Sequence, residues 1–262
     1  MKRFEHALVL FGIGTCLACG AQAGVVQVRV KVESLVGANG VAFSPFTVAF
    51  HDGSWDAFNN GAAASTGIQN IAETGDGSAY LAAFGAAYAP GVSGVVAATL
   101  GGFGPGIYLP GASGTFDFAV DTAANRYFSF GSMVVPSNDR FFGNDSATAV
   151  ALFDGLGNFL NPIINLKGSD IWDAGTELDA PFGSAFIAGQ SAGDHNAQGG
   201  VVGFHSDFSA YLNALTAAGY NFTNLPSAGD ALARITFEIV PAPGVAGVFG
   251  FAGLAFLRRR RG

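Results

Sequence analysis

Only two of the 262 residues are cysteine, Cys16 and Cys19, and both lie near the start of the chain. From Gly24 onward there is no thiol, so neither a disulfide nor cysteine-ligated zinc can hold that part together. Charge is also scarce, at 12% of residues. Between residues 24 and 240 six Lys and Arg face 18 Asp and Glu, a formal charge of −12. That balance excludes nucleic acid or anionic lipid as partner, because both are bound through clustered Lys and Arg, and it makes cations the natural counterparts. The EF-hand pattern is missing. So is a phosphate loop, since Gly101-Gly102-Phe103-Gly104-Pro105-Gly106 lacks the Lys and Ser/Thr and Pro105 removes a backbone donor. The 39 glycines carry no Gly-X-Y period or Ser-rich run and therefore serve turns. What the chain does have is 50% hydrophobic and 13% aromatic residues, enough for a packed core.

The two ends differ from the body. Lys2-Arg3, an apolar run over residues 7–18 and Ala21-Gln22-Ala23 have the charged head, greasy middle and small-residue cleavage site of a secretory signal peptide, over residues 1–23. At the far end Val240-Pro241-Ala242-Pro243-Gly244 precedes an apolar run over residues 245–257 and the block Arg258 to Arg261. As a helix those thirteen apolar residues span about 20 Å, short of a hydrocarbon core of roughly 30 Å, though arginines can snorkel and a bilayer can thin. The arginines set the cytoplasmic side. This tail, residues 241–262, resembles a bacterial sorting signal of the PEP-CTERM type, with Ala242 in place of the family's central Glu. The resemblance implies an exosortase-type enzyme that recognises the tail, transient anchoring through 245–257, and release to the envelope surface or an extracellular matrix.

In the body, Val26, Val28, Val30 and Val32 alternate with Gln27, Arg29, Lys31 and Glu33, and Ala233, Ile235, Phe237 and Ile239 alternate with Arg234, Thr236 and Glu238. Strict period two marks strands with one buried face. Residues 46–50, 94–100, 115–120, 127–135, 147–153 and 200–204 also read as strands, separated by Gly, Asn, Asp and Pro. Residues 206–218 read as a helix, with Phe208, Tyr211, Leu212 and Leu215 on one face and Gly219 at the stop, and a shorter helix is possible at 55–60. No βαβ rhythm is present. The expectation is one all-β domain over residues 24–240, an antiparallel β-sandwich of about eight strands with one or two short helices.

Chemistry concentrates in two acidic corners. One, Pro136 to Asp145, directly follows a strand and carries Asp139 and Asp145; the other is Trp172-Asp173-Ala174-Gly175-Thr176-Glu177. Calcium takes six to eight hard oxygens, which two such loops converging at a sandwich end can supply; each Asp can equally cap its own turn. His51 beside Asp52 reads as a hydrogen-bonded turn, and Glu73 and Asp76 as a solvated loop or a second cation site. Two other classes stay open. Gly189-Gln190-Ser191-Ala192-Gly193 fits the nucleophile-elbow pattern, with His195 or His205 as base, although a turn-rich run follows where a helix should leave. A carbohydrate-binding module would use Trp55, Trp172 and Tyr127.

Several stretches together resemble the bacterial form of the spondin domain. They are Val28 to Leu35, Thr47 to Gly53, Ala64-Ser65, Ile71 to Asp76, Ser132 to Asp139 with Phe142-Gly143, and Asp173 to Glu177. The resemblance implies a C2-like sandwich with calcium at one end and a role in adhesion or matrix attachment rather than catalysis, the partner being an extracellular polysaccharide or surface protein. It makes Asp139 and Asp173 the candidate ligands, with Asp117 on the preceding strand as the third. The cysteines of animal members are absent here.

Overall fold

A computed structural model describes residues 24–241 of the chain. The expected signal peptide and, beyond Pro241, the sorting tail lie outside the described residues. Within them no helix is long and apolar enough to cross a membrane.

The alternating ends of the body are neighbours in space. Strand β1 (Val25–Ser34) lies between β12 (Ala231–Val240) and β6 (Ile107–Asp121), antiparallel to both, with Val30 opposite Phe237 on one side and Phe116 on the other. Val28, Val30 and Val32 are wholly buried, as period two requires. Strand β9 (Ile163–Lys167) extends this half beyond β12, and β5 (Leu100–Phe103) pairs with β6. The other half is built on β3 (Phe46–His51) and β7 (Tyr127–Val135), which pair with each other. Strand β4 (Val92–Val96) flanks β3, and β8 (Arg140–Gly143), β10 (Trp172–Asp173) and β11 (Gly203–Phe204) follow outward from β7. The two-residue strand β2 (Ala42–Phe43) pairs with both β7 and β6, joining the halves into one curled antiparallel sheet. Aromatic rings fill the space between: Phe50 packs on Phe118 at 5.0 Å and Phe128 on Phe237 at 4.9 Å between ring centroids. The fold is all-β and sandwich-like with two short helices. Among the described residues strands number twelve rather than eight: the short β2, β5, β8, β9 and β10 were not expected, and 147–153 is not a strand.

The helices lie elsewhere than expected. Helix α1 (Thr66–Thr74) starts where Ser65 Oγ accepts the Ile68 N–H and stops at Gly75, whose left-handed backbone returns its N–H to Ile71 O. Helix α2 (Ser78–Ala87) begins where Asp76 Oδ1 accepts the Ser78 N–H. Ile68, Ile71, Ala72, Tyr80 and Phe84 form a second core with Ala49, Phe141 and Trp172 on the outer face of the β3–β7–β8 half. That cover is why every residue of β3 is buried.

Residues 206–218 form no helix beyond the single 3-10 turn Ser209–Tyr211. Asn213 is left-handed, and its N–H bonds Phe222 O while Thr216 N–H bonds Tyr220 O, so the segment folds back on itself. The 55–60 segment is irregular, with Trp55 and Phe58 committed to the second core, and 147–153 is a loop that touches the sheet through an isolated bridge of Ala151 to Tyr127, while Phe153 bridges to Phe159 in the loop that follows.

Candidate functional site

Between β7 and β8 the chain makes a turn, Pro136-Ser137-Asn138-Asp139, whose last three residues, with Arg140, are 0% exposed. A polar turn buried to that degree must find its partners inside the protein, and the later loops supply them. Ala185 N–H donates to Ser137 O, and Ala174 N–H to Asp139 O. Asn138 Nδ2 donates to Phe182 O, while its Oδ1 accepts the Ala180 N–H and lies 2.7 Å from the Tyr211 hydroxyl.

Asp139 and Arg140 face different partners. Asp139 Oδ2 accepts the N–H groups of Thr176 (2.8 Å) and Glu177 (3.0 Å) and the Thr176 hydroxyl (3.2 Å). Its other oxygen, Oδ1, is buried with no hydrogen-bond partner. Burial first, and the charge of Asp173 second, push the Asp139 carboxyl up to about 6. Arg140 stands opposite Asp173 in the β8–β10 ladder. Its guanidinium meets Asp173 Oδ2 at 3.1 Å, pairs with Asp179, and donates to the carbonyls of His205 and Asp207. Asp173 Oδ1 accepts the Gly175 N–H at 2.6 Å. Gly175 is left-handed, and a Cβ there would stand 2.5 Å from the Val201 nitrogen, so the Asp-Ala-Gly-Thr turn needs its glycine.

The structure therefore brings Asp139 and Asp173 together at one end of the β7–β8–β10 half. It does not bring Asp117 there. Asp117 lies on the outward face of β6 in the other half, where Arg29 holds both its oxygens at 2.8 Å, and this hydrogen bonding lowers its pKa. The strand period explains the miss: Phe118, its neighbour, takes the core side.

The other sequence candidates have local roles. Asp145 accepts the Asn60 N–H, and Asp76 accepts the Ser78 N–H just ahead of α2. His51 is buried, its Nδ1 accepting the Gly53 N–H and its Nε2 donating to Ser129, and burial lowers its pKa. Ser191 sits in an exposed turn with its hydroxyl on the Gly193 N–H; His195 and His205 contact carboxylates instead. Trp55 and Trp172 belong to the second core.

No protein-family model matches this chain, and no curated protein is similar to it. The site stands on its geometry alone.

Among the described residues two sets of side chains place three ligand atoms within 4.8 Å of one another: Asp173, Asp179 and His205, and Glu73, Glu177 and His195. Arg140 already occupies the first set. The second was not assembled by sequence reasoning, although Glu177 sits in the second acidic turn and Glu73 reads as part of a solvated loop or a second cation site. His195 Nδ1 lies 2.5 Å from Glu177 Oε1, a contact that raises the imidazole pKa.

Proposed function

We propose that the protein is a secreted, surface-sorted, non-catalytic attachment module of spondin type, whose β7–β8 and β10 loops bind calcium through Asp139 and Asp173. The observation that carries this reading is Asp139 Oδ1, a carboxylate oxygen without a partner, sealed from solvent beside a second carboxylate. A buried carboxylate oxygen left without a partner is costly unless something positive meets it, and Arg140 is spent on Asp173, Asp179 and two carbonyls. The donor set is all oxygen, which suits a hard cation, with water and backbone carbonyls to complete the shell. Asp173 is half neutralised by Arg140, so Asp139 carries most of the binding and affinity is modest.

Bound calcium would brace the loops around Thr176 and Glu177 against the β8 turn, giving a rigid acidic rim for an extracellular polysaccharide or surface protein. Export rests on residues 1–23, and surface sorting by an exosortase-type enzyme on residues 241–262. Calorimetric titration of the purified protein tests the metal: one calcium ion should bind to the unsubstituted chain, none to Asp139→Asn, and an undiminished one to Asp117→Asn. Calcium-dependent retention on extracellular matrix polysaccharide, lost in Asp139→Asn, tests the attachment role.

A further inference from the structure

We propose that Glu73, Glu177 and His195 form a second metal centre, selective for a borderline divalent ion such as zinc over calcium. One ligand comes from the last turn of α1, one from the loop after β10 and one from the loop facing it. Glu73 and Glu177 are only 5% and 2% exposed, whereas His195 is open to solvent and gives an ion a way in. Glu73 Oε1 accepts from Gln69 at 2.8 Å, but Oε2 has no hydrogen bond among the described residues; its nearest cationic group is His195 Nδ1 at 3.7 Å. Two buried carboxylates and one imidazole leave a net negative charge even with the ring protonated. A divalent ion with a neutral ring balances it.

The donor chemistry selects the ion. One imidazole nitrogen and two carboxylates are a zinc-type set, while calcium takes oxygen ligands only. Zinc bonds of about 2.0–2.1 Å put tetrahedral ligands roughly 3.3 Å apart, between the two contacts His195 Nδ1 now makes, 2.5 Å to Glu177 and 3.7 Å to Glu73. Shifts under about 1 Å would bring both of these contacts to that spacing. The frame is already built: Leu178 N–H bonds Asn196 O at 2.8 Å and Gln198 N–H bonds Thr176 O at 2.7 Å, fixing His195 across from Glu177. This inference does not depend on the calcium reading, since Asp139 contributes nothing to the triad beyond accepting the Glu177 N–H.

The test is calorimetric titration of chelator-stripped protein with zinc, together with the visible spectrum after cobalt(II) loading. One zinc should bind at micromolar affinity or better, and cobalt should give the intense bands of a four- or five-coordinate site. Affinity should fall at least about tenfold in His195→Ala and in Glu73→Gln. His195 lies in an exposed loop, so His195→Ala should keep the circular dichroism of the parent, and Asp117→Asn, in the other half of the sheet, should keep zinc binding. No zinc uptake by the folded parent would overturn the proposal. So would zinc binding unchanged in His195→Ala.

Discussion

At the scale of single residues, identical chemistry has different consequences depending on where the sheet puts it. Asp117 and Asp173 both pair with arginine. The Asp117–Arg29 pair is exposed on the outer face of β6 and stabilises little, so Asp117→Asn should leave the urea midpoint nearly unchanged. Arg140 is wholly buried. Arg140→Ala would strand Asp173 and Asp179 and should cost on the order of 3–5 kcal/mol, read in the same denaturation series. Asp139 adds a pH signature. Its native pKa of about 6 lies above the ordinary 3.8, so the folded protein holds this proton more tightly than the unfolded one. The contribution to stability is therefore full below pH about 4 and is lost as pH rises through about 6. In chelator, Asp139→Asn should gain stability relative to the parent between pH 4 and 7, by up to about 3 kcal/mol. A difference flat across that range would show that Asp139 pays no penalty for its charge. The acidic loops showed where carboxylates collect, but the choice of Asp139 with Asp173 comes from the spondin resemblance; the Arg29 partner of Asp117 was not legible, because strand period gives a face but not the cross-strand register.

At the scale of elements, the legible ones are those with one wet face. β1 and β12 show valine or isoleucine against charge, and the structure returns them almost residue for residue. Helices α1 and α2 gave no such signal. α2 reads Ser-Ala-Tyr-Leu-Ala-Ala-Phe-Gly-Ala-Ala, nearly all apolar or small, and buries only Tyr80 and Phe84; α1 is nine residues with Gly67 inside. Gly67 is where the helices touch, since a Cβ there would lie 2.8 Å from Tyr80 Cα. Residues 206–218 show the opposite failure, because helical spacing was present but tertiary partners claimed Tyr211 and left Leu212 and Leu215 exposed. Helix α1 carries Glu73, so its stability bears on the triad. Ser65→Ala removes the Ile68 cap bond and should cost about 1 kcal/mol. Thermal melting checks this, and a loss above about 3 kcal/mol would mean Ser65 does more than cap.

At the scale of the whole molecule, the thiol-free stretch between residues 24 and 240, with formal charge −12, folds into a curled sheet held by aromatic packing, and two of its buried acids, Asp139 and Glu177, lie on the loops flanking β8 and β10 with the third, Glu73 of α1, beside them. Self-repulsion of that charge opposes compaction, and cations that bind only the native state offset it. The class of fold was legible from strand alternation and the absence of a βαβ rhythm; the curl into one sheet was not, because it hangs on two-residue β2, which has no pattern of its own. In the proposed reading Asp139 and Asp173 together hold a calcium ion. Thermal melting in chelator and at millimolar calcium, for the parent and Asp139→Asn, tests it most directly. The parent should melt several degrees higher with calcium, and Asp139→Asn should melt at one temperature in both buffers. A parent that melts identically in chelator and calcium, or a variant that keeps the full shift, would contradict it.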